Sequence, residues 1–256
     1  MYVIISPFFK SFDDTWLIYH VPSFLEWEIN LWIILEIPFK DKIEFWVVLK
    51  VMDLLEQNLD ESKIKSIISI YNPNIFLSNY RLKLLEWLSK YYFTPIHNSN
   101  NLFFPKNLIS KIKKNKINSE KIADFKYFYT HNIKLSKKQQ KVFEQIKKSQ
   151  NKKVLFYGLT WSWKTEIYIK LIKENLEKGK QSLLLIPEIV LTNQISKKII
   201  KAFWEDVLII NSTITDATKT KYWLAINTWK AKIILWTRSA LFYPYNNLWL
   251  IIIDEE

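Results

Sequence analysis

A short apolar run, VLFY, is followed by Gly158-Leu159-Thr160-Trp161-Ser162-Trp163-Lys164-Thr165 and then by the amphipathic stretch TEIYIKLIKENLEKGK. Strand, loop and helix in that order make a phosphate-binding unit when the loop reads G-x-x-x-x-G-K-[ST]. Here the last glycine of that pattern is written Trp163. Such a loop turns backbone N–H groups inward around phosphates. It needs backbone angles that glycine tolerates and a bulky aromatic does not. Either the loop is degenerate, or tryptophan is not the residue that the living cell places there.

Composition bears on that choice. The 256 residues include 2 Gly and 12 Trp, whereas an average glycine usage of about 7% would give roughly 18. Trp16, Trp27, Trp32, Trp46, Trp161, Trp163, Trp204, Trp229, Trp236 and Trp249 mostly lie at turns or at the ends of apolar runs, where glycine punctuates structure. Trp87, in LLEWLSKYY, and Trp223, in KYWLAI, read as ordinary tryptophans. The expectation is that the ten positions are encoded by UGA, read as glycine in the source organism. A Trp-rich, non-catalytic DNA-binding protein with a dead loop is the alternative.

The formal charge of +12 favours a polyanionic partner, most simply nucleic acid. With no cysteine there is neither a disulfide framework nor a thiolate metal site in these residues. His20, His97 and His131 are isolated and read as solvent or structural residues. No uncharged apolar run reaches about 18 residues, the length of a membrane span. The N-terminus MYVIISPFFKSF lacks the layout of a signal peptide. A cytoplasmic location is expected.

Residues 1–55 read as β structure: YVIIS, TWLIYHVP, WIILEIPF and IEFWVVLKV are short, β-branched and aromatic. Trp27, Trp32 and Trp46, read as glycine, become turn or bulge positions of a small barrel. Residues 62–105 change to helical period, with Leu82, Leu85 and Leu88 on adjoining faces. Residues 106–134 are lysine-rich and read as a linker or short helical bridge. From Leu135, apolar β runs alternate with amphipathic helices, which indicates a parallel sheet covered on both faces. Gly179 is placed to end the helix that follows the loop.

Lys164 is expected to reach the β- and γ-phosphates of ATP and the Thr165 hydroxyl to hold Mg²⁺. The backbone amides from Thr160 to Thr165 and the helix N-terminus would take the phosphate charge. The final run LIIIDEE is an apolar strand ending in two carboxylates. In this arrangement Asp254 belongs to the Mg²⁺ shell, and Glu255 orients or deprotonates the attacking water. PEIVLTNQ and TRSALFYP follow the second and fourth strands of this region. Their Thr192, Gln194, Thr237, Arg238 and Ser239 offer donors suited to a phosphate backbone, at the strand ends where a ligand crevice forms. Read without function, these are caps and surface polar residues.

Taken together, GLT(W)S(W)KTEIYIKLI, LLLIPEIVLTNQ, AKIIL(W)TRSALF and NL(W)LIIIDEE resemble the PriA-type replication-restart helicases, with glycine at the bracketed positions. Trp223 matches a true family tryptophan six residues before a glycine, here Trp229. IYHVP, W-IILEIPFKDKIEF-W-VVL and LLEWLSKYYFTP resemble blocks of the family's N-terminal domain, so the likeness covers nearly the whole chain. Gln139 sits where superfamily-two helicases carry an adenine-reading glutamine; a helix-surface role is the alternative.

The resemblance implies an ATP- and Mg²⁺-dependent 3′-to-5′ DNA helicase acting on stalled replication forks. It implies forked and single-stranded DNA as partners, with primosome proteins and the loader of the replicative helicase. It also implies an α/β fold in three parts. Residues 1–108 correspond to a β-rich, then helical, domain that binds a 3′ DNA end, with Tyr19 at its pocket. Residues 109–134 form a Lys-rich linker where a winged helix is missing or reduced. Residues 135–256 form an incomplete first RecA-like lobe. Zinc is expected only in the absent C-terminal part, and a monomer is expected. The chain departs from the family in carrying Ile18 where an Asp commonly precedes the tyrosine, and Lys40 where a glycine ends VPFG. Another superfamily-two translocase remains an alternative.

Overall fold

Alternating burial along the first strands sets up the N-terminal sheet. The computed structural model describes residues 1–7, 17–55, 60–71, 79–95, 99, 102–114, 133–149, 153–157, 164–186, 194–203, 207–210 and 214–254. In β1 (Tyr2–Pro7) Val3 and Ile5 face inward with no exposed surface. β2 (Leu17–His20), β3 (Ile34–Phe39), β4 (Lys42–Met52) and β5 (Ser69–Tyr71) complete a five-stranded antiparallel sheet in the order β2-β1-β4-β3-β5. Its core gathers Val3, Ile5, Val21, Leu35, Ile37 and Val48. Residues just before β5 join the two sides of the sheet. The His20 amide donates to the Lys65 carbonyl, the Ile67 amide to His20 and the Ile68 amide to Glu36. The β2 edge is thereby covered at His20.

The turns show where glycine would be at home. β3 and β4 are joined through Lys40, whose φ is 51°, so the lysine at the family's glycine position adopts a left-handed backbone. Trp32, in the turn before β3, has φ 64°, and Trp229, after α6 below, has φ 61°. Trp27 lies in the 3-10 turn Ser23–Glu28. Trp46 departs from its expected turn or bulge position: it is a buried residue inside β4, paired with Leu35 and Pro7. The irregularity in β4 falls instead near Leu49, because Ile4 pairs with Lys50 and Ile5 with Val48. Trp16, Trp161, Trp163 and Trp204 lie outside the described residues.

α1 (Asn79–Tyr91) buries Leu82, Leu85 and Leu88, the face expected from their spacing. α2 (Lys106–Lys113) is the helical bridge of the lysine-rich stretch. The second unit holds α3 (Lys137–Lys148), α4 (Lys164–Glu177), β6 (Gln181–Leu185), α5 (Gln194–Phe203) and β7 (Val207–Ile210). It also holds β8 (Ile233–Trp236) and β9 (Leu248–Ile253). Between β7 and β8 in the chain comes α6 (Asp216–Asn227). The strands are all parallel, in the order β7-β8-β6-β9, and β6 is buried along its whole length. Such continuous burial marks a parallel sheet covered on both faces.

Contacts group residues 1–122, 215–228 and 242–246 in one unit and residues 123–214, 229–241 and 247–256 in the other. α6 thus belongs, by packing, with the N-terminal elements. Trp223 is 1% exposed there, and its indole N–H donates to the Phe103 carbonyl at 2.6 Å.

One expected element is not formed. VLFY carries no strand; Val154, Leu155 and Tyr157 are exposed, and only Phe156 packs on the core beside Tyr168. A strand exists by pairing, and among the described residues no strand lies beside 153–157.

Candidate nucleotide and nucleic-acid site

Parallel strands bring their carboxyl ends to one edge of a sheet, and ligand crevices form there. Leu185 pairs with Trp236 on one side and with Ile253 on the other. Asp254, Thr237 and the chain leaving β6 therefore emerge at the same edge. Asp254 stays tied to the sheet, because its amide donates to the Leu185 carbonyl at 3.1 Å. It is 3% exposed.

α4 opens at Lys164, next to the loop that the motif identifies. Thr165 is buried at 7% exposure, whereas Lys164 is half-buried. Tyr168, one turn further on, shares a face with Thr165. Its hydroxyl donates to Asp254 Oδ1 at 2.8 Å. This bond aims the first turn of α4 at the end of β9. The second carboxylate oxygen, Asp254 Oδ2, is buried and has no hydrogen-bond partner among the described residues. A buried charged oxygen without a partner is costly. A hard divalent cation that takes oxygen ligands, or its water, suits that atom, and the hydroxyl of Thr165, on the same helix face as Tyr168, is of the same donor class. The residues present therefore fit Mg²⁺. Sequence reasoning missed Tyr168, because its partner lies 86 positions away in the chain.

Gly158, Leu159, Thr160, Trp161, Ser162, Trp163, Thr192 and Glu255 lie outside the described residues. Gln194 is the first residue of α5. Gln139, 9% exposed, closes a capping box at the start of α3: its Oε1 accepts from the Ser136 amide at 2.7 Å while Ser136 Oγ accepts from the Gln139 amide. The side chain is thereby held in one orientation.

After β8 the chain enters a 3-10 turn, Arg238–Phe242. Thr237 is buried and its hydroxyl lies 3.3 Å from that of Ser239, whereas Arg238 and Ser239 are exposed. A guanidinium and a hydroxyl are thus exposed at the carboxyl edge of the sheet, next to a buried threonine.

Tyr19 departs from its expected place. It is 4% exposed, packs in the sheet core, and donates its hydroxyl to the Pro38 carbonyl at 2.8 Å. Burial pushes its phenol above the ordinary tyrosine range. Alternation along β2 turns the ring inward, into the core of the sheet.

Residues 7–105 match a family model described as a 3′ DNA-binding domain of PriA, and residues 136–256 match that of the DEAD/DEAH box helicases. The replication restart protein PriA of Rickettsia conorii is 34% identical over 99% of this chain and 37% of its own length. The chain belongs to the PriA family of replication restart proteins. PriA of Chlamydia pneumoniae is 40% identical over 45% of the chain and 16% of its own length, and PriA of Bacillus subtilis 36% identical over 50% and 16%. The chain spans about a third of the length of PriA proteins such as that of Rickettsia conorii. Among the described residues no helix is long and apolar enough to cross a membrane.

Proposed function

We propose that this chain is the DNA-end-binding and nucleotide-binding part of an ATP-driven 3′-to-5′ helicase that restarts replication at stalled forks. The observation that carries the reading is the buried Asp254, tied through Tyr168 to the helix that Lys164 and Thr165 open. In a P-loop motor those are the positions of the phosphate-binding lysine, the Mg²⁺-binding hydroxyl and the Mg²⁺-shell carboxylate. Mg²⁺, held there by Thr165 and Asp254, would supply charge neutralisation for the phosphates. Lys164 supplies the fixed cation, Tyr168 holds the Asp254 carboxylate, and Glu255 orients the attacking water. Gln139 reads adenine from the start of α3. Thr192, Gln194, Thr237, Arg238 and Ser239 track a phosphate backbone. Forked and single-stranded DNA, primosome proteins and a helicase loader are the partners, in the cytoplasm, with the protein a monomer. The division into residues 1–108, 109–134 and 135–256 is part of the same proposal.

The reading requires glycine at 161 and 163 in the living cell. The left-handed backbones at Trp32 and Trp229 support it, since that conformation disfavours a bulky side chain and suits glycine. Literal tryptophan favours the second reading, a DNA-binding protein without motor activity. Mass spectrometry of the native peptide covering residues 153–170 decides between them: glycine at 161 and 163 is expected, and tryptophan at both overturns the motor. Residues 1–256 alone are expected to bind forked DNA, hydrolyse ATP slowly and unwind nothing, because the family's second lobe is needed to close the site. Strong DNA-stimulated turnover by this segment would contradict that.

A further inference from the structure

Few surfaces of a soluble domain expose contiguous aromatics without a purpose. α1 does so over three turns. Tyr80, Trp87 and Tyr91 lie on one helical stripe at i, i+7 and i+11 and are 48%, 52% and 62% exposed. The rings of Trp87 and Tyr91 stack at 4.8 Å with an interplanar angle of 22°. Lys83 and Lys90, both exposed, flank the stripe along one side. Glu86 is the one acidic residue of the helix.

The stripe ends in a fixed projection. Tyr92 and Phe93 are 62% and 94% exposed, and Phe93 holds φ 49°, an uncommon backbone for a bulky residue. Ser89 keeps that turn in place: its hydroxyl donates to the Thr94 carbonyl at 2.6 Å, and its own carbonyl accepts from the Thr94 amide. The buried Arg81, between the rings of Tyr80 and Tyr245, anchors the other end. From Tyr80 to Tyr91 the stripe runs ~16 Å along the helix.

We propose that this face of α1 is a stacking platform for single-stranded DNA. The rings take bases face-on and Lys83 and Lys90 take the phosphates. Aromatics flanked by cations distinguish such a surface from a protein-docking patch, whose buried centre is depleted of lysine. The formal charge of +12 gives the same sign of complementarity over the molecule. The proposal rests on the DNA-binding reading of this chain and is separate from recognition of a 3′ end, because stacking and phosphate contact need no terminus.

Binding of a labelled oligo-dT of about 20 nucleotides to residues 1–256 tests it by fluorescence anisotropy. It is measured with a 3′-hydroxyl and with a 3′-phosphate. The pair Trp87→Ala and Tyr91→Ala is expected to weaken both oligonucleotides equally, by about tenfold or more, since each stacked base contributes about 1–3 kcal/mol. Trp87→Phe with Tyr91→Phe is expected to stay within about twofold, because the faces remain. Should the alanine pair fail to fold, Lys83→Gln with Lys90→Gln reads the same surface. That pair is expected to reduce the slope of log Kd against log salt by about 0.7 per lysine. Unchanged binding by a folded alanine pair overturns the platform. So does a loss confined to the 3′-hydroxyl oligonucleotide, or self-association of the wild type that the alanine pair abolishes. If the wild type binds no oligonucleotide at all, the broader DNA reading falls and the platform with it.

Discussion

At the scale of single residues, the site depends on one bond. Asp254 is buried with one oxygen held by Tyr168 and the other without a partner among the described residues. Removing the phenol oxygen leaves both carboxylate oxygens unsatisfied, at a cost of about 1–3 kcal/mol. Tyr168→Phe is therefore expected to lower the thermal midpoint and to weaken Mg²⁺-ATP binding together, as seen in melts with and without the nucleotide. A change in stability with nucleotide affinity untouched would separate Asp254 from the site. The acidic strand end and the Lys164–Thr165 pair were legible in the sequence because strand and helix motifs are local. The tyrosine that joins them was not. Its partner lies 86 positions away and is met only when the sheet assembles.

At the scale of elements, local signals largely placed the helices. Ser136 with Gln139 three residues on is a capping box in letters and in space. Gly179 follows α4 with φ 69°, and its amide donates to the Leu176 carbonyl. A Cβ built at Gly179 meets nothing within 4 Å, so the position needs glycine for its backbone angle and not for room. Gly179→Ala is expected to destabilise the chain by about 1 kcal/mol, read as a lower denaturation midpoint at unchanged slope. An equal or higher midpoint would mean that the turn relaxes freely. The VLFY strand shows the limit of local reading. Its residues have strand propensity, but a strand must have a neighbour to pair with, and β propensity reports context more than backbone preference. Trp46 makes the same point from inside β4, where cross-strand packing and not turn chemistry decides its place.

At the scale of the whole molecule, buried phenols set an alkaline limit. Burial raises Tyr19, Tyr243 and Tyr245 above the usual tyrosine range. Their neutral forms are favoured in the fold, so their contribution is fully present below the unfolded value near pH 10. It is lost as pH rises through the higher folded values. Melting temperature is expected to hold up to about pH 10 and to fall steadily above it; a flat profile would mean that these rings ionise without unfolding. The charge of +12, the lack of cysteine, the β-then-helix-then-α/β order and the phosphate-loop motif are all present in the bare chain, because each is a matter of composition or short-range period. Other features belong to the tertiary structure alone. Only there does Tyr19 turn into the core, and only there does the Gln181 amide bridge β8 and β9 through Ala231 and Asn247. The same holds for α6, grouped with the N-terminal elements although it lies between two strands of the parallel sheet in sequence. Those outcomes turn on partners distant along the chain, and only closure of the loops between them brings such partners together.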